Sequence, residues 1–512
     1  MDISKSTSTD ATQRLLILLC VSVPSFMINL DSNIVAVSLS SIAHTLNASF
    51  VDIEWVVSAY TLSFAALLMP AGALADRYGR KRLLMVGLVI FTVASFICGA
   101  APNALVLNLA RALQGIGAAL QLSAALATLS HSFRGADRAR AFAFWGTVIG
   151  IAVALGPVVG GFITQHFGWE WAFYINIPIG AVMVVLVGRT LVESKDPEAT
   201  RVDVPGAVTF SASLFLLTLA LISGNHRGWS DSAVLLEFAG AAILFMLFLW
   251  AERAQNRPMV DFGFFQRRTY LGAIFSGLAF SVSLLTMLTY LPMFFQNGLG
   301  YSPQIAGLLM LPIAVPLFVV PRLVAAYLTH RLSGRVLLTG GLGLIAAGST
   351  WVGFTMTQLH YVALLPGMML MGIGAGTLNG ETAKVSMSVI PPERAGMASG
   401  ISGTIRFAGI VVGFAVLGAV LLVKIKACVI AGLPVDSPLT ADVLVHAIGA
   451  GDLSGGGSPA LRALALDSYC TAYQAILLTG AAFAALAALL AWWLIQAAET
   501  SPVDHRPQGG NG

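Results

Sequence analysis

Apolar segments of about twenty residues recur along the whole chain, and this recurrence limits the possible folds more than any single motif. As an α-helix, each segment is long enough to cross about 30 Å of hydrocarbon. Only 10% of the residues are charged and 57% are hydrophobic, whereas a typical soluble domain has about 25% charged residues. We therefore predict an all-α polytopic membrane protein whose surroundings are the lipid bilayer. The fourteen segments lie at residues 14–38, 53–75, 83–101, 104–130, 140–164, 171–191, 204–223, 233–251, 270–296, 303–328, 336–355, 359–389, 398–424 and 472–497.

The distribution of Lys and Arg predicts how the chain crosses the membrane. Loops on the cytoplasmic side carry an excess of these residues. With a cytoplasmic N-terminus, twenty basic residues fall inside, and the outside segments hold only Arg227, Lys424, Lys426 and Arg462. The first apolar segment has no small-residue cleavage site, so we interpret it as a retained helix and not as a signal peptide. The prediction is fourteen helices in the cell inner membrane, with both termini cytoplasmic.

Two pairs of similar loops indicate an internal repeat. "RYGRKRLL" at 77–84 matches "RLSGRVLL" at 331–338, and "DRARAF" at 137–142 matches "ERAGMA" at 393–398. Both offsets are close to 255 residues, and repeats of six helices are one known plan for transporters. We predict an N-terminal six-helix half at 1–200, an inserted helix pair at 201–255 and a C-terminal six-helix half at 256–512. The C-terminal half would include a long extracytoplasmic loop at about 425–471.

Two cysteines flank that loop. Cys428 and Cys470 would lie near the ends of the thirteenth and fourteenth helices. They would form a disulfide if the loop faces an oxidising compartment, but sequence spacing does not establish the bond. Two unpaired thiols are the other interpretation.

A carboxylate interrupts the first apolar segment, in "FMINLDSNIVAV". A charged Asp at the centre of a membrane helix costs about 2.5–3.5 kcal/mol on the insertion scale. Asn29, Ser32 and Asn33 surround Asp31. We therefore expect Asp31 to face a polar cavity and not lipid.

The fourth segment carries an arginine, Arg111, with Gln114 three residues later on the same side of the helix. Ionisable residues inside a membrane are costly and usually serve a function. A structural arginine that fixes neighbouring helices is the alternative.

Charged residues also occur elsewhere in the apolar segments. Glu381 and Lys384 are spaced i, i+3 and could neutralise each other, or Glu381 could be a second proton site. Arg406 could pair with Glu381. Glu54 stands beside Trp55, and because Trp residues concentrate at membrane interfaces, we expect both near the membrane surface.

Four motifs resemble one transporter family. "GALADRYGRK" at 72–81 resembles the signature loop of the major facilitator superfamily. "LVLNLARALQG" at 105–115 is similar to the L-x-x-x-R-x-x-Q-G pattern of its proton-coupled exporters. "GIAVALGPVVGG" at 150–161 resembles the antiporter signature, and "GWEWAFYINIPIG" at 168–180 resembles the fourteen-helix drug:proton antiporters. This chain departs from those antiporters at Glu170, where they usually carry Arg, and in "AVSLS" at 36–40, where they carry "NVALP" or similar.

The resemblance implies a major facilitator fold and a role for several residues. Asp76 and Arg77 would latch the two halves on the cytoplasmic side in the outward-open state, and Arg111 would take part in proton transfer. We expect the glycine-rich fifth helix to permit rocking of the halves. The residues expected to control this movement are Gly72, Asp76, Arg77, Gly79, Arg80, Gly156, Pro157, Gly160 and Gly161.

Together these features predict a proton-coupled antiporter that exports lipophilic, in some cases cationic, drugs or toxic small molecules. Proton coupling is assigned to Asp31, Arg111 and Glu381. Asp31 would bind proton and substrate in turn. The other residues expected to contact substrate are Phe26, Asn33, Tyr60, Gln114, Trp145, Tyr290, Phe294 and Arg406.

Other functions remain open from the sequence. The chain could export a single metabolite or self-made toxin, take a solute up, or act as a non-transporting membrane sensor or scaffold. It lacks CxxC, HExxH, GxSxG and GxxxxGK[ST] motifs, so we predict that it is not an enzyme and is driven by a proton gradient and not by ATP. We expect no cofactor, no metal site and no nucleic-acid partner, and a monomer.

Overall fold

A computed structural model describes residues 3–133, 135–195, 204–254, 262–390, 395–434, 437 and 439–500. Within these ranges fourteen helices are long and apolar enough to cross a membrane, which confirms the predicted fourteen-helix, all-α architecture. They are α1 (Thr12–Leu46), α2 (Phe50–Tyr78), α3 (Arg80–Gly99), α4 (Ala104–Ser132), α5 (Arg140–Phe167), α6 (Trp171–Thr190), α7 (Pro205–Gly224), α8 (Ser232–Ala254), α9 (Arg268–Asn297), α10 (Pro303–Leu328), α11 (Gly334–Gln358), α12 (Tyr361–Ser388), α13 (Ile401–Gly432) and α14 (Pro459–Leu494).

The predicted long loop at 425–471 is mostly helical. The helix that includes α13 continues to Gly432, a short helix spans Ala441–Ala450, and α14 already begins at Pro459. The residues that precede 472 include Arg462 and Asp467, so hydropathy excludes them from a membrane segment. They are rich in Ala and Leu, which favour helix, and Pro is well tolerated at the first position of a helix.

Several helices are interrupted. A π-helical turn at Ser281–Leu285 lies within α9, and another, Val324–Leu328, ends α10. In α12 the backbone leaves helical geometry at Asn379 and Gly380, and Gly380 has a φ of 100°. Such breaks release backbone groups inside a membrane protein and occur often at functional positions.

The helices pack in two groups. Helices α1–α6, here called the N bundle, pack among themselves, as do α9–α14, the C bundle. Helices α7 and α8 pack against each other, and α7 also contacts α2 and α13. The predicted domain boundaries near residues 200 and 255 lie outside the described residues and stay predictions.

Consecutive spanning helices alternate in direction, so the molecule has two faces. We call the end where Asn47 joins α1 to α2 the Asn47 face, and the end where Gly79 joins α2 to α3 the Gly79 face. The two bundles meet where α2 contacts α13, α5 contacts α10 and α1 contacts α9. In the first contact the rings of Phe64 and Phe407 lie 4.1 Å apart. In the third, the Gln296 amide donates to the Val37 carbonyl at 2.8 Å.

Candidate functional site

Asp31 and Arg111 form a sealed ion pair at the centre of the N bundle. Arg111 Nη1 donates to Asp31 Oδ2 at 2.6 Å, and the two side chains are 1% and 0% exposed. A buried charge is tolerated only when it is paired and hydrogen-bonded. Because each residue neutralises the other, the pair explains how both can lie among apolar helices.

Two amides complete the environment of the Asp31 carboxylate. Gln114 Nε2 and Asn176 Nδ2 each donate to Asp31 Oδ1 at 2.9 Å. Gln114 also accepts from Arg111 Nη1 at 2.6 Å and donates to Ser95 at 2.9 Å. The carboxylate therefore has three donors from two helices, α4 and α6.

Arg111 is held on its other sides by α2 and α6. Its Nε donates to the Val56 carbonyl at 2.9 Å. The guanidinium carbon lies 4.1 Å from the ring centroid of Tyr60 and 5.8 Å from that of Phe173, which are cation–π distances. The network joins α1, α2, α3, α4 and α6, so a change of partner at Asp31 would reach most of the N bundle.

The structure corrects the predicted setting of Asp31. The carboxylate is sealed, whereas the preceding and following polar residues are partly open: Ser32 is exposed, and Asn29 and Asn33 are half-buried. Adjacent helix positions point in directions about 100° apart, so one helix turn presents Asp31 to Arg111 and Ser32 away from it. Asp31 does not line an open cavity in this conformation.

Seven of the predicted substrate-contacting residues lie in three kinds of surroundings. Phe26, Asn33 and Trp145 are half-buried, and Trp145 Nε1 donates to Ser25 at 2.9 Å. Gln114 and Tyr60 are buried parts of the Asp31 network. The assignment of Tyr290 and Phe294 to a substrate-lining surface does not match this conformation, because both are buried in the aromatic core of the C bundle with Tyr473.

The C bundle carries a second, weaker charge cluster. Glu381 directly follows the break in α12 and lies 3.6 Å from Lys384, and Thr329 donates to it at 3.4 Å. The structure thus favours the predicted ion pair. The predicted Arg406–Glu381 pair is absent from the described residues: the Arg406 guanidinium lies 5.7 Å from the ring centroid of Phe280 instead.

The turn at Gly79 is held within the N bundle. Asp76 accepts from Arg80 Nη2 at 2.8 Å, and the Arg77 guanidinium lies 5.2 Å from the ring centroid of the adjacent Tyr78. No latch between Asp76 and the C bundle is seen among the described residues, and residues 391–394 before α13 lie outside them. The predicted latch therefore stays a prediction, and the described contacts of Asp76 and Arg77 are within the N bundle.

Glu193, which follows α6, caps this turn and was not predicted. Its carboxylate accepts from the backbone N–H groups of Lys81 and Arg82 at 3.1 Å each, at the start of α3, where an anion is favoured by the helix dipole. Lys81 Nζ donates back to the Gly188 carbonyl at 2.8 Å. Loop carboxylates of this kind carry no sequence pattern of their own, and only the fold brings Glu193 to α3.

Gly79 is required by its backbone conformation, and Gly72 is not. Gly79 has a φ of 116°, which costs a residue with a β-carbon about 1–3 kcal/mol. We expect Gly79→Ala to lower the melting temperature of the purified protein measurably. No atom lies within 4 Å of a β-carbon built at Gly72, so no neighbouring helix approaches closely there. Gly72→Ala is therefore the matched control, with unchanged stability. Equal melting temperatures for the two variants would contradict this account.

The glycines of α5 allow close contacts on two sides. A β-carbon at Gly160 would lie 2.8 Å from Ile34 Cα, and one at Gly156 would collide with Asn33, so this side of α5 packs against α1. A β-carbon at Gly161 would collide with the Pro303 carbonyl, and one at Gly307 with the Pro157 carbonyl, so the other side packs against α10. The glycines of the motif at 150–161 thus allow α5 to pack closely against α1 within the N bundle and against α10 of the C bundle.

Cys428 and Cys470 are free thiols in the structure. Cys470 is buried in the core of the C bundle, packed near Tyr469 and Tyr473, and Cys428 is half-buried. Of the two interpretations that the sequence leaves open, a disulfide or two unpaired thiols, the structure has the unpaired thiols.

Comparisons with known proteins agree with this architecture. The family model of the Major Facilitator Superfamily matches residues 21–414. The multidrug resistance protein Stp of Mycobacterium tuberculosis is 32% identical over 506 residues, which cover 96% of this chain and 94% of Stp. The methylenomycin A resistance protein of Streptomyces coelicolor is 33% identical over 396 residues, 77% of this chain and 83% of that protein.

The fold is similar to that of a solved transporter structure. A crystal structure of a bacterial homologue of the human lysosomal transporter Spinster, in an inward-facing and occupied conformation, superposes with a TM-score of 0.62. The match covers 96% of this chain and 99% of that one at 15% sequence identity. At this identity the likeness shows the fold alone.

Proposed function

The chain belongs to the Major Facilitator Superfamily, and on that basis we propose that it exports lipophilic drugs or toxic small molecules in exchange for protons. The observation that carries the proposal is the sealed Asp31–Arg111 pair with its two amide donors. An exchanger needs one titratable group whose proton and substrate states exclude each other. Asp31 is suited to this role because its ion pair with Arg111 can form or break as the N bundle rearranges.

The pair suggests how proton and substrate compete. Paired with Arg111, Asp31 is ionised and satisfied. When Arg111 moves away, the carboxylate loses a partner inside the membrane and takes a proton from water that reaches it. The freed guanidinium and the newly neutral Asp31 then present a different surface to the substrate. Re-forming the pair expels the proton, so each passage between the two states moves one proton.

The substrate is proposed to bind between the bundles, next to this pair. Phe26 and Asn33 lie on α1 with Asp31, Trp145 lies on the neighbouring α5, and all three side chains are half-buried. The exposed Ser32 adds a polar side chain at the same depth of α1, which supports this placement. Arg406 contributes a cation from α13 that has no ion-pair partner among the described residues.

Orientation and setting follow from the positive-inside rule. The cluster Arg77, Arg80, Lys81 and Arg82 adjoins Gly79, so the Gly79 face is proposed to be cytoplasmic and the Asn47 face extracytoplasmic. The protein would then lie in the cell inner membrane with both termini inside. We further propose that it is a monomer, uses no cofactor and carries out no catalysis, the proton gradient being its energy source.

Dye efflux from proteoliposomes tests the proposal. With purified protein and ethidium or Hoechst dyes, we expect transport against a concentration gradient when a pH gradient is imposed, and none when an ionophore removes it. Liposomes with the protein unfolded before reconstitution are the control for leakage. Accumulation that persists without the pH gradient would refute proton coupling.

Substrate breadth separates the two candidate exporters. Stp is named for multidrug resistance, whereas the methylenomycin A resistance protein is named for a single antibiotic. A growth-inhibition panel in a pump-deficient bacterium would show protection against several unrelated drugs if this chain is a multidrug exporter. Protection against one compound would identify a dedicated exporter.

A further inference from the structure

Glu54 is a buried carboxyl group that the proposed cycle does not use. It lies four residues after the start of α2, about 6 Å along the helix from the Asn47 face. Its side chain is 3% exposed, and neither carboxylate oxygen has a hydrogen-bond partner in the described part of the chain. Glu54 therefore lies near the end of α2, as predicted from its neighbour Trp55, but its side chain is enclosed by protein.

Residues of the C bundle lie next to the Glu54 carboxylate. A β-carbon built at Gly418 of α13 would collide with Glu54 Oε1 and would lie 3.3 Å from Tyr290 Oη of α9. The Tyr290 hydroxyl has only a long contact of its own, 3.5 Å to the Phe414 carbonyl. Glu54 is thus carried by the N bundle and enclosed by the C bundle, and separation of the bundles at the Asn47 face would expose it.

No cation compensates Glu54 in the described residues. The Asp52 carboxylate accepts from the backbone N–H and the hydroxyl of Ser49, and Arg111 is paired with Asp31. Lys424 and His446 are exposed, and Tyr469 donates to Tyr473. Towards the Asn47 face, the titratable or charged groups on the surrounding elements include Asp31 and His44 of α1, Asp52 and Tyr60 of α2, Arg111 of α4, Arg227 after α7, Tyr290 of α9, Lys424 and Lys426 of α13, Tyr469 and Tyr473 of α14, and Asp442 and His446 of the short helix.

An ionised carboxylate without a partner is strongly disfavoured away from water, and such a group takes up a proton instead. We infer that Glu54 is a second proton-binding site, which holds a proton only while α2 and α13 are in contact at the Asn47 face. Its ligand is a single proton from the solution that bathes that face. The inference depends on the proposed movement of the two bundles but not on the role of Asp31.

The sign of the pH dependence follows from linkage. The closed Asn47 face binds one proton more than the open face, so acid favours closure and alkali favours opening. One proton changes the ratio of the two states by at most about tenfold per pH unit. In the proposed orientation, an acidic exterior would close the exit side of the transporter.

Distance measurements between spin labels test this inference. The labels would be attached to the full-length protein after Gln165→Cys and Gln358→Cys, two exposed positions at the ends of α5 and α11 on the Asn47 face, with Cys428 changed to Ser. We expect the closed population of the parent protein to rise at least about threefold from pH 8 to pH 5. Glu54→Gln, which keeps the shape of the neutral acid, should remain closed at both values, and Glu54→Asp should keep the response.

Two further variants make the outcome specific. Glu237→Gln removes a carboxylate that is paired with Arg227 near the same face and should keep the parent response. The double variant Asp31→Asn/Arg111→Gln removes the other proposed proton site, so we expect the part of the pH response that is due to Glu54 to persist in it. A pH response that survives Glu54→Gln in this double-variant background, or a double variant without any response, would overturn the inference and leave the proposed transport function untouched.

Discussion

Asp31→Asn is expected to abolish proton-driven efflux and also to destabilise the protein. The substitution removes the titratable group and leaves the guanidinium of Arg111, 1% exposed, without its counter-charge. Breaking one member of a buried pair costs about 3–5 kcal/mol. Dye efflux from proteoliposomes and thermal unfolding in detergent measure the two effects separately.

The double variant Asp31→Asn/Arg111→Gln separates chemistry from folding. Replacing both members of a buried pair is often close to neutral, so we expect it to regain most of the lost stability while efflux stays uncoupled from the pH gradient. Recovery of coupled efflux together with stability would show that the pair is structural, which is the alternative that the sequence left open for Arg111.

Gly161→Val is expected to reduce transport at least about tenfold without unfolding the N bundle. A β-carbon at this position would collide with the Pro303 carbonyl and lie 2.9 Å from Gln304 Cα. Overpacking of this kind costs about 1–3 kcal/mol, and here the strain falls on the contact between α5 and α10. The bundles would therefore fail to close near the Asn47 face, and initial rates of dye efflux would show the loss.

Gly146→Val is the matched control. Gly146 lies on the same helix, and no atom lies within 4 Å of a β-carbon built there, so efflux should stay near the wild-type rate. Equal losses in both variants would indicate a general intolerance of α5 to valine. Full activity of Gly161→Val would show that this contact does not limit the movement.

The sequence identified the residues that are exceptional in their surroundings. Asp31, Arg111 and Gln114 are polar residues within apolar segments. Because such residues need polar partners inside a membrane, the sequence predicts that they contact one another, but it does not predict the individual hydrogen bonds. Asn176 was missed, although it lies in the quoted stretch "YINIPIG", since an Asn near a helix end has many ordinary roles. Only the packing of α6 against α1 places its amide on Asp31.

Aromatic residues and carboxylates near helix ends were harder to place. Tyr290 and Phe294 face the core of the C bundle. The sequence does not predict this, because helical spacing alone does not distinguish a cavity-facing from a core-facing stripe when all sides of a helix are apolar. For Glu54, the neighbouring Trp55 predicts a depth near the membrane surface but does not predict that protein encloses the side chain. Its enclosure depends on a glycine of α13 that is more than 360 residues away in the sequence.

Proton flux driven by substrate movement tests the central claim most directly. Proteoliposomes with ethidium on one side and a pH-sensitive dye in the lumen would report proton movement while ethidium flows down its gradient. The account predicts that the wild-type protein moves protons in the opposite direction, and that Asp31→Asn/Arg111→Gln moves ethidium with no accompanying protons. Substrate-driven proton movement of wild-type size in the double variant would contradict the assignment of exchange to the Asp31–Arg111 pair.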